Sequence, residues 1–376
     1  MRIEHYSMLE PIHERWDCCL QEQHPLHSSW LTFMERAQLP YINFRYFIIS
    51  DKQNAVQALA YFQITEFSLP HYRFPFFEWQ PLQWLEKRIM ASPRQIITCG
   101  NLFQANSPGI HFLDGDVQKQ AAIIQKILME ISTLYPEAVL ILFKDCPANS
   151  YSALEKLGYR RYRDEGTMIL ELPPHWHSFT DYIRSMRHRY AQRIRKARKM
   201  LAEIHAHEAD LCQLQSHCLR LEQLYKNVVR RQPIRMVWAN AAYFVEMKKN
   251  LKHRARIFFY WHREQLVAFR TEIVHPNHLE LHLIGIDYAF NQKFWLYFNL
   301  MYDAVKAAIE LQKPALELGR TARFAKQIMG AKPSSSVHFF KVKGVVPRMM
   351  TYFLLHWYKK NIRGKASAPP RIFRGQ

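Results

Sequence analysis

The chain has 376 residues, of which 48% are hydrophobic and 14% aromatic, and it carries a formal net charge of +20. This length exceeds what one hydrophobic core usually serves and the composition excludes a disordered chain, so we expect two folded domains. The charge favours an anionic partner, which could be nucleic acid, an acidic lipid surface or an acidic carrier protein.

The first half of the chain predicts a mixed series of helices and strands. Helical patterns near 9–22 and 28–38 precede two strand-like runs, YINFRYFIIS and AVQALAYFQITEF, which the polar stretch DKQN separates as in a β-hairpin. The proline-rich aromatic segment 68–84, SLPHYRFPFFEWQPLQW, follows. Its proline spacing favours a packed loop or a substrate-facing flap over regular structure.

The order continues with strands in IITCGNLF and GIHFL and a helix that Asp116 caps and that runs to about Ser132. The apolar run AVLILF predicts a buried strand, SYSALEKLGY a helix, and GTMILEL a strand. Pro173 and Pro174 then break the chain, and we place a domain boundary there.

The second half repeats this order of elements, as two copies of one α/β unit would. Strands in RARIFFYWH, QLVAFRTEIV and HLELHLIGI precede a long helix from about Asn291 to Leu311, strand ALELG, helix TARFAKQIMG and strand SVHFFKV. We therefore expect an α/β fold with mixed sheets and three segments: an N-terminal domain 1–172, a C-terminal domain 173–345 and a tail 346–376.

Cysteine and glycine patterns exclude several classes of protein. The six cysteines show no CxxC pair, which argues for a reduced cytosolic chain and against a disulfide scaffold or a cysteine zinc site. None of the eleven glycines forms a GxGxxG or GxxxxGK[ST] loop, so the usual dinucleotide and ATP loops are disfavoured. With neither a signal peptide nor an apolar spanning segment in view, we expect a cytoplasmic protein, with peripheral attachment to the inner face of the membrane left open.

Four segments resemble the Gcn5-related N-acetyltransferase (GNAT) superfamily, and more narrowly its double-domain branch with the BioF2-like acetyltransferase domain and the Fem-type peptidoglycan bridge ligases. They are YAQRIRKARK (190–199), HLIGIDYAFN (282–291), LYFNLMYDAVKAAIE (296–310) and LELGRTARFAKQIMGAKP (316–333). The first half resembles a degenerate copy, with ALEKLGYRRY like the closing helix and strand of that fold. The resemblance therefore implies two tandem GNAT-like domains.

The resemblance also implies a sheet that splays between its fourth and fifth strands, here 278–286 and 315–319, where the pantetheine arm of an acyl donor lies. It assigns donor contacts to Ile284, Gly285, Asp287 and Asn291. One departure matters, because residues 287–297, DYAFNQKFWLY, contain no glycine where the family has a pyrophosphate loop. That leaves acyl-coenzyme A, acyl carrier protein and aminoacyl-tRNA all open as donors.

Alternation along HLELHLIGI aligns the side chains of His278, Glu280 and His282 on one face of a strand. Such a polar row suits aminolysis of a thioester, in which a base takes a proton from the attacking amine, and Glu280 or His282 is our candidate base. A hydrated or internally paired strand face is the alternative. The pattern also permits metal ligation geometrically, but two histidines near an acid are commoner than zinc sites, so we assign no metal.

The GNAT-like segment supplies three more candidates. Glu317 would face the groove, Arg320 could bind a phosphate or carboxylate bidentately, and Lys326 could add a point charge, unless they form internal pairs. Phe324 stands where many acetyltransferases have a general-acid tyrosine, so that role is not carried over.

Two basic stretches complete the chain. Residues 184–199, RSMRHRYAQRIRKARK, hold eight arginines or lysines in sixteen positions, and an apolar stripe through them predicts a docked helix with a solvated basic arc. Its outward charges could steer an anionic donor. The tail RMMTYFLLHWYKKNIRGK fits either an interfacial membrane helix or a helix packed on the second domain.

Together these features predict an N-acyltransferase without a tightly bound cofactor, which moves an acyl group from a thioester to a primary amine on a lipid precursor or amino acid. The thioester would be acyl-coenzyme A or acyl carrier protein. The alternatives are a Fem-like ligase that uses aminoacyl-tRNA and a non-catalytic binding module of the same fold. The ligase is less favoured, since the helical region 200–232 is short for the hairpin arm that such enzymes often carry.

Overall fold

The computed structural model describes residues 1–68, 71, 83–84, 93–147, 151–232, 235–344, 347–349, 351–352 and 371–374. Most of the insertion 68–84 and of the tail 346–376 lies outside these residues, so the flap and the interfacial helix stay predictions. The chain divides into two compact units that exchange segments. The first comprises Met1–Asp164, Gln232–Trp238 and Ser335–Gly364, and the second Glu165–Arg231, Ala239–Ser334 and Lys365–Gln376.

Apart from an unpredicted first strand, the first unit has its strands and helices in the predicted order. After a 3₁₀ turn at Glu10–Ile12, its helices are α1 His13–Asp17, α2 Ser28–Arg36, α3 Val117–Leu134 and α4 Ser152–Lys156. Its strands are β1 Arg2–Tyr6, β2 Ile42–Ser50, β3 Val56–Phe67, β4 Arg94–Cys99, β5 Ile110–Phe112 and β6 Leu140–Cys146. Strand β7, Arg160–Glu171, begins in this unit, and strand β13, Lys332–Val342, ends in it.

Local chemistry explains two of these elements. The Asp51 carboxylate accepts hydrogen bonds from the backbone N–H groups of Gln53 and Ala55, and Asn54 adopts a φ of 64°, which closes the turn between β2 and β3 as DKQN predicts. Asp116 caps α3 by accepting from the backbone N–H groups of Gln118 and Lys119. Both sequence predictions are confirmed.

The sheet of the first unit has the strand order β1-β2-β3-β4-β6-β13, and β5 pairs with β3. Its strands are antiparallel except for the parallel pair β4 and β6, which runs from Ile96 opposite Leu140 to Cys99 opposite Phe143. Helix α3 packs on this sheet through an isoleucine-rich face, Ile123, Ile124, Ile127 and Ile131. Burial of that face supplies much of the driving force for this unit.

The second unit contains the remaining elements. Its helices are α5 Phe179–Ser185, α6 His188–Met200, α7 Leu211–Val229, α8 Ala241–Leu251, α9 Tyr288–Phe294, α10 Leu296–Glu310 and α11 Arg323–Gln327. Its strands are β8 Ile204–Glu208, β9 Ala255–His262, β10 Gln265–Val274, β11 Leu279–Ile286 and β12 Ala315–Glu317. With the end of β7 they form the order β7-β12-β11-β10-β9-β8. No helix in the described part of the chain is both long and apolar enough to cross a bilayer.

Helix α6 carries the basic stretch and is docked as its apolar stripe predicts. Tyr190, Ile194 and Ala197 are buried in a core that also contains Leu281 of β11 and Met301 of α10. The opposite side of the helix is exposed. The exposed charges of this run therefore form the outer side of an amphipathic helix, while Arg193 and Arg198 are half-buried.

The predicted long helix from Asn291 to Leu311 is two helices, α9 and α10, because the backbone breaks at Trp295, whose φ is 49°. The buried Asn299 amide holds this break. It donates to the carbonyl oxygens of Phe294 and Ala197, each at 2.9 Å, so these carbonyls at the ends of α9 and α6 are satisfied by a side chain.

Candidate active site

The candidate site lies where two parallel strands of the second unit separate. Strand β11 pairs with β12 at only two positions, Leu279 with Leu316 and Glu280 with Glu317. Beyond them β11 continues to Ile286, whereas β12 ends and the chain turns at Gly319, whose φ is 74°. The splay that the resemblance implied between 278–286 and 315–319 is therefore present.

Glu280 is the centre of the site. Its side chain is buried, and its two carboxylate oxygens are bonded to two different histidines: Oε1 to His282 Nδ1 at 2.7 Å and Oε2 to His275 Nε2 at 3.0 Å. Burial alone would raise the pKa of this carboxyl, but the charge of His282 and the hydrogen bonds from His275 and His282 outweigh burial and hold the pKa below its usual range. Glu280 is thus a buried anion at neutral pH.

His282 extends this arrangement to helix α8. Because an ionised carboxylate only accepts, Nδ1 of His282 donates to Glu280. The ring's other nitrogen, Nε2, lies 2.8 Å from the hydroxyl of Tyr243 on α8. The His282 side chain is only 1% exposed, so both ring nitrogens are engaged inside the protein and the ring is fixed in one orientation.

His275 and His278 form the more exposed side of the site. His275 is the first residue of the HPN turn before β11, and His278 follows that turn. The turn closes with a hydrogen bond from the His275 N–H to the His278 carbonyl. Their rings stack with centroids 4.2 Å apart. Burial lowers the pKa of His278 to about 4, and the neighbouring His275 acts in the same direction, so His278 is neutral at neutral pH.

Glu317 and Lys326 continue the row on the next strand. Residues paired across parallel strands share a face, so Glu317 lies beside Glu280, and its carboxylate is 3.9 Å from His278 Nε2. The Lys326 ammonium is buried and donates to the Gly319 carbonyl at 3.2 Å. Burial lowers the pKa of Lys326 to about 7, although the nearby Glu317 opposes this shift.

Strand β11 contains a β-bulge within the site. On β10, Arg270 and Glu272 pair with Ile284 and Leu281, so one extra residue of β11 lies between them. The Thr271 hydroxyl bridges this irregularity, since it accepts from the Leu283 N–H at 2.8 Å and donates to the Leu283 carbonyl at 3.1 Å. Such a bulge changes the direction of nearby side chains and often occurs beside active sites.

The structure places the four residues assigned to donor contacts along the end of β11 and in α9. Ile284 is half-buried between two apolar clusters. Gly285 is buried, and a Cβ there would collide with the Phe269 ring and with Leu224. Both positions therefore have a packing role, whatever they contact in a ligand.

Asp287 and Asn291 make internal contacts as well. Asp287 caps α9 through the Ala289 N–H and forms an ion pair with Arg220 at 2.9 Å. Asn291 accepts the Tyr297 N–H at the start of α10. Helical residues thus occupy the segment where the family has a glycine loop, which is consistent with the absence of glycine from 287–297.

Arg320 follows Gly319 directly and is half-buried, between Glu317 and the start of α11. It follows the end of β12, on which Glu317 lies, in the turn to whose Gly319 carbonyl Lys326 donates.

The structure groups the predicted residues in two sets. Contacts and strand pairing bring together Glu280, His282, Glu317 and Lys326. A second set lies at the end of β11 and in α9: Ile284, Gly285, Asp287 and Asn291.

Arg270 and Glu272 lie on the other face of the sheet. Cross-strand pairing puts Glu272 opposite Leu281, a core residue, whereas Ile273 is opposite Glu280. Arg270 is buried and bonded to Glu272 at 2.7 Å, and Asp303 of α10 is 3.8 Å away. This pair is part of a buried ion network behind the candidate site.

No three histidine, cysteine or carboxylate side chains among the described residues are grouped to hold a metal ion. The histidines near Glu280 bond to carboxylates and to Tyr243 instead. Their arrangement suits proton transfer, because each ring nitrogen in these bonds faces another titratable group.

Sequence reasoning missed Tyr243, His275 and Thr271. Tyr243 lies on a helix 39 residues before His282, and only packing brings their polar atoms together. His275 is the first residue of the HPN turn, and its position just before the strand HLELH could have signalled a further histidine near Glu280. Thr271 had no sequence signal, because the bulge that it bridges is set by strand register.

No protein-family model and no curated protein sequence matches the chain. Several solved structures match over nearly all of it, FemX and a tandem GNAT protein among them. FemX has 12% identity and a TM-score of 0.51, and the match covers 94% of this chain and 100% of FemX. A tandem GNAT protein from the clavulanic acid biosynthesis pathway has 9% identity and a TM-score of 0.50, with 92% and 99% covered.

At these identities the likeness shows the fold, which is a tandem GNAT architecture in a mixed α/β chain. The expected fold class and the resemblance noted in the sequence are confirmed. Function has to be argued from the residues of the site.

Proposed function

We propose that the second unit is an N-acyltransferase that moves an acyl group from a thioester donor to a primary amine. The observation that carries this proposal is the buried, ionised Glu280 between His275 and His282, at the point where β11 leaves β12. A GNAT fold raises the expectation of acyl transfer, and this site supplies groups that such a reaction needs.

Aminolysis of a thioester forms a C–N bond and breaks a C–S bond. The attacking nitrogen loses a proton, and the departing thiolate gains one. In our proposal a histidine bound to Glu280 receives the amine proton, and the carboxylate stabilises the imidazolium that forms. His282 is enclosed and orients Glu280 on one side, whereas His275, with 17% of its side chain exposed, is on the side from which an amine can approach.

Negative charge develops on the carbonyl oxygen during attack. Lys326 and Arg320 follow Glu317 on the neighbouring segment, and the buried Lys326 ammonium donates to a carbonyl oxygen in the same turn. A cation with few water contacts interacts strongly with developing charge. We therefore propose a donor-binding and charge-stabilising role for Glu317, Arg320 and Lys326, together with Ile284, Gly285, Asp287 and Asn291 on the donor side.

Either acyl-coenzyme A or an acyl carrier protein would serve as co-substrate, with no tightly bound cofactor. Helix α9 in place of a glycine loop supports a donor whose phosphates are held differently from those of coenzyme A in most acetyltransferases. The acceptor would be an amine on a lipid precursor or amino acid at the membrane surface. Aminoacyl-tRNA is the alternative donor, which the resemblance to Fem-type ligases in the sequence implies.

The test is acyl transfer by the purified full-length protein from acyl-coenzyme A, acyl carrier protein and aminoacyl-tRNA to a panel of amines. Glu280→Gln keeps the shape of the side chain and removes its charge, so we expect kcat to fall about 10²–10⁴-fold. The control is Glu310→Gln, an exposed glutamate on α10 that pairs with Lys306.

Thermal unfolding of each variant separates loss of chemistry from loss of fold. Release of acylated amine only with charged tRNA would select the ligase alternative. If none of the three donors is consumed, the proposal is wrong and a non-catalytic binding module becomes the better account. If Glu280→Gln is as active as wild type, the role proposed for Glu280 is wrong.

A further inference from the structure

Helix α6 presents a strongly basic surface that the chemistry at Glu280 does not use. This basic face consists of the exposed side chains Arg195, Lys196 and Lys199, with His188, Arg189 and Gln192 towards the start of the helix. The helix contains no acidic residue. Arg195, Lys196 and Lys199 form no ion pair with any residue that the structure describes.

The inward cations of the same helix have internal contacts. Arg193 lies over the Phe298 ring, with its guanidinium carbon 4.5 Å from the centroid, and Arg198 pairs with Asp303 at 2.5 Å. These two residues fix the helix on α10. The outward cations contribute little to folding by comparison, so their number calls for another explanation.

The basic face adjoins the start of α10. Lys196 lies 5.6 Å from the centroid of Trp295, the N-cap residue of that helix. Trp295 is also the C-cap residue of α9, so the negative carboxyl end of α9 offsets the positive amino end of α10 at this position. The positive potential here therefore comes from the exposed side chains of the basic face alone.

The composition of the face argues against a lipid bilayer as its partner. Helices that lie in a membrane interface insert apolar side chains between their cations. On α6 every apolar residue is buried or half-buried, and the exposed residues are all polar.

The size of the face argues for a small partner. Thirteen residues of helix span about 20 Å, and proteins that grip nucleic acid often neutralise about 6–10 phosphates along a longer track. A short row of cations with Arg195 and Lys199 four residues apart matches acidic side chains spaced in the same way on another helix.

We propose that the basic face of α6 docks a small acidic protein that carries the acyl group as a thioester on a phosphopantetheine arm. This inference rests on the proposed acyl transfer and names its donor: the acidic surface of the carrier binds α6, and the arm reaches the second unit's site. Charge attraction of this kind raises the association rate and falls with added salt.

The test compares two donors that share the reactive thioester but differ in the carrier. One probe is a purified acidic acyl carrier protein loaded with a fatty acyl group, and the other is the same acyl group on free pantetheine. The variant reverses three charges, Arg195→Glu, Lys196→Glu and Lys199→Glu. A matched control reverses three exposed cations of the first unit, Lys52→Glu, Arg94→Glu and Lys156→Glu, with the same change in net charge.

We expect the α6 variant to lose at least tenfold more kcat/KM with the carrier protein than with acyl-pantetheine, and the control variant to show no such difference. Equal losses with both donors, or none with the carrier, would overturn the proposal. Direct binding of the carrier without acceptor, measured at low and high salt, tests docking even where no turnover occurs. Anionic phospholipid vesicles or RNA that bind through α6 when the carrier does not would also contradict it.

Discussion

At the scale of single residues, the site depends on one carboxylate with two histidine partners. Glu280 bonds to His275 and His282, and the second of these bonds to Tyr243. An ionised carboxylate can only accept a hydrogen bond, so the nitrogen of each histidine ring that faces Glu280 carries the proton.

Lys326 gives a pH dependence of stability that can be measured. Its pKa is about 7 in the folded protein because of burial, and about 10.4 in an unfolded chain. Between these values the unfolded chain binds more protons at this site, so the free energy of unfolding rises with pH. In Lys326→Met that contribution is absent. We expect the wild type to gain about 2–3 kcal/mol relative to this variant between pH 6 and pH 9, as measured by urea unfolding.

The control for this measurement is Lys306→Met on α10, where half of the lysine side chain is exposed and its pH profile should follow that of the wild type. Parallel profiles for wild type and Lys326→Met would mean that Lys326 keeps an ordinary pKa in the folded protein.

The sequence predicted Glu280 and His282 as neighbours because residues two apart on a strand share a face. It did not predict that His282 is enclosed, since this depends on Tyr243 from a separate helix. The same limit applies to His275, which reaches Glu280 through a turn whose geometry no alternation pattern describes.

At the scale of elements, β11 carries Glu280 and His282, and α9 and α10 follow its end. The hairpin at DKQN and the cap at Asp116 could be predicted, because short polar side chains bond to backbone N–H groups close to them in sequence. The break at Trp295 could not, since neither glycine nor proline marks it. Asn299 holds it through carbonyl groups of two helices.

Gly285 tests the packing of β11 against the helices behind it. A methyl group at this position would collide with the Phe269 ring and with Leu224, so Gly285→Ala should lower the free energy of unfolding by about 1–3 kcal/mol or more. Urea unfolding provides the measurement. Gly115→Ala is the control, because no atom lies within 4 Å of a Cβ there.

If Gly285→Ala were as stable as wild type while its KM for the donor rose, donor contact rather than packing would explain the glycine. A loss of stability with an unchanged KM would leave Gly285 as a packing residue alone.

At the scale of the whole molecule, the repeated order of strands and helices predicted two related units, and the tandem GNAT architecture is present. The limits 1–172, 173–345 and 346–376 stay a prediction. They were placed at breaks in the sequence, whereas the compact units exchange segments such as Gln232–Trp238, and an exchange of this kind leaves no local signal.

The net charge of +20 indicated an anionic partner. Only the fold shows which lysine and arginine side chains have contacts inside the protein.

The central claim is that Glu280 supports acyl transfer to an amine. Mass spectrometry of amines and lipids from cells with the wild-type gene, the Glu280→Gln gene or no gene tests it most directly, because donor and acceptor both appear in one product mass. We expect an amine-containing species that is heavier by an acyl group with the wild type and absent from the other two. Identical spectra for all three would contradict the account.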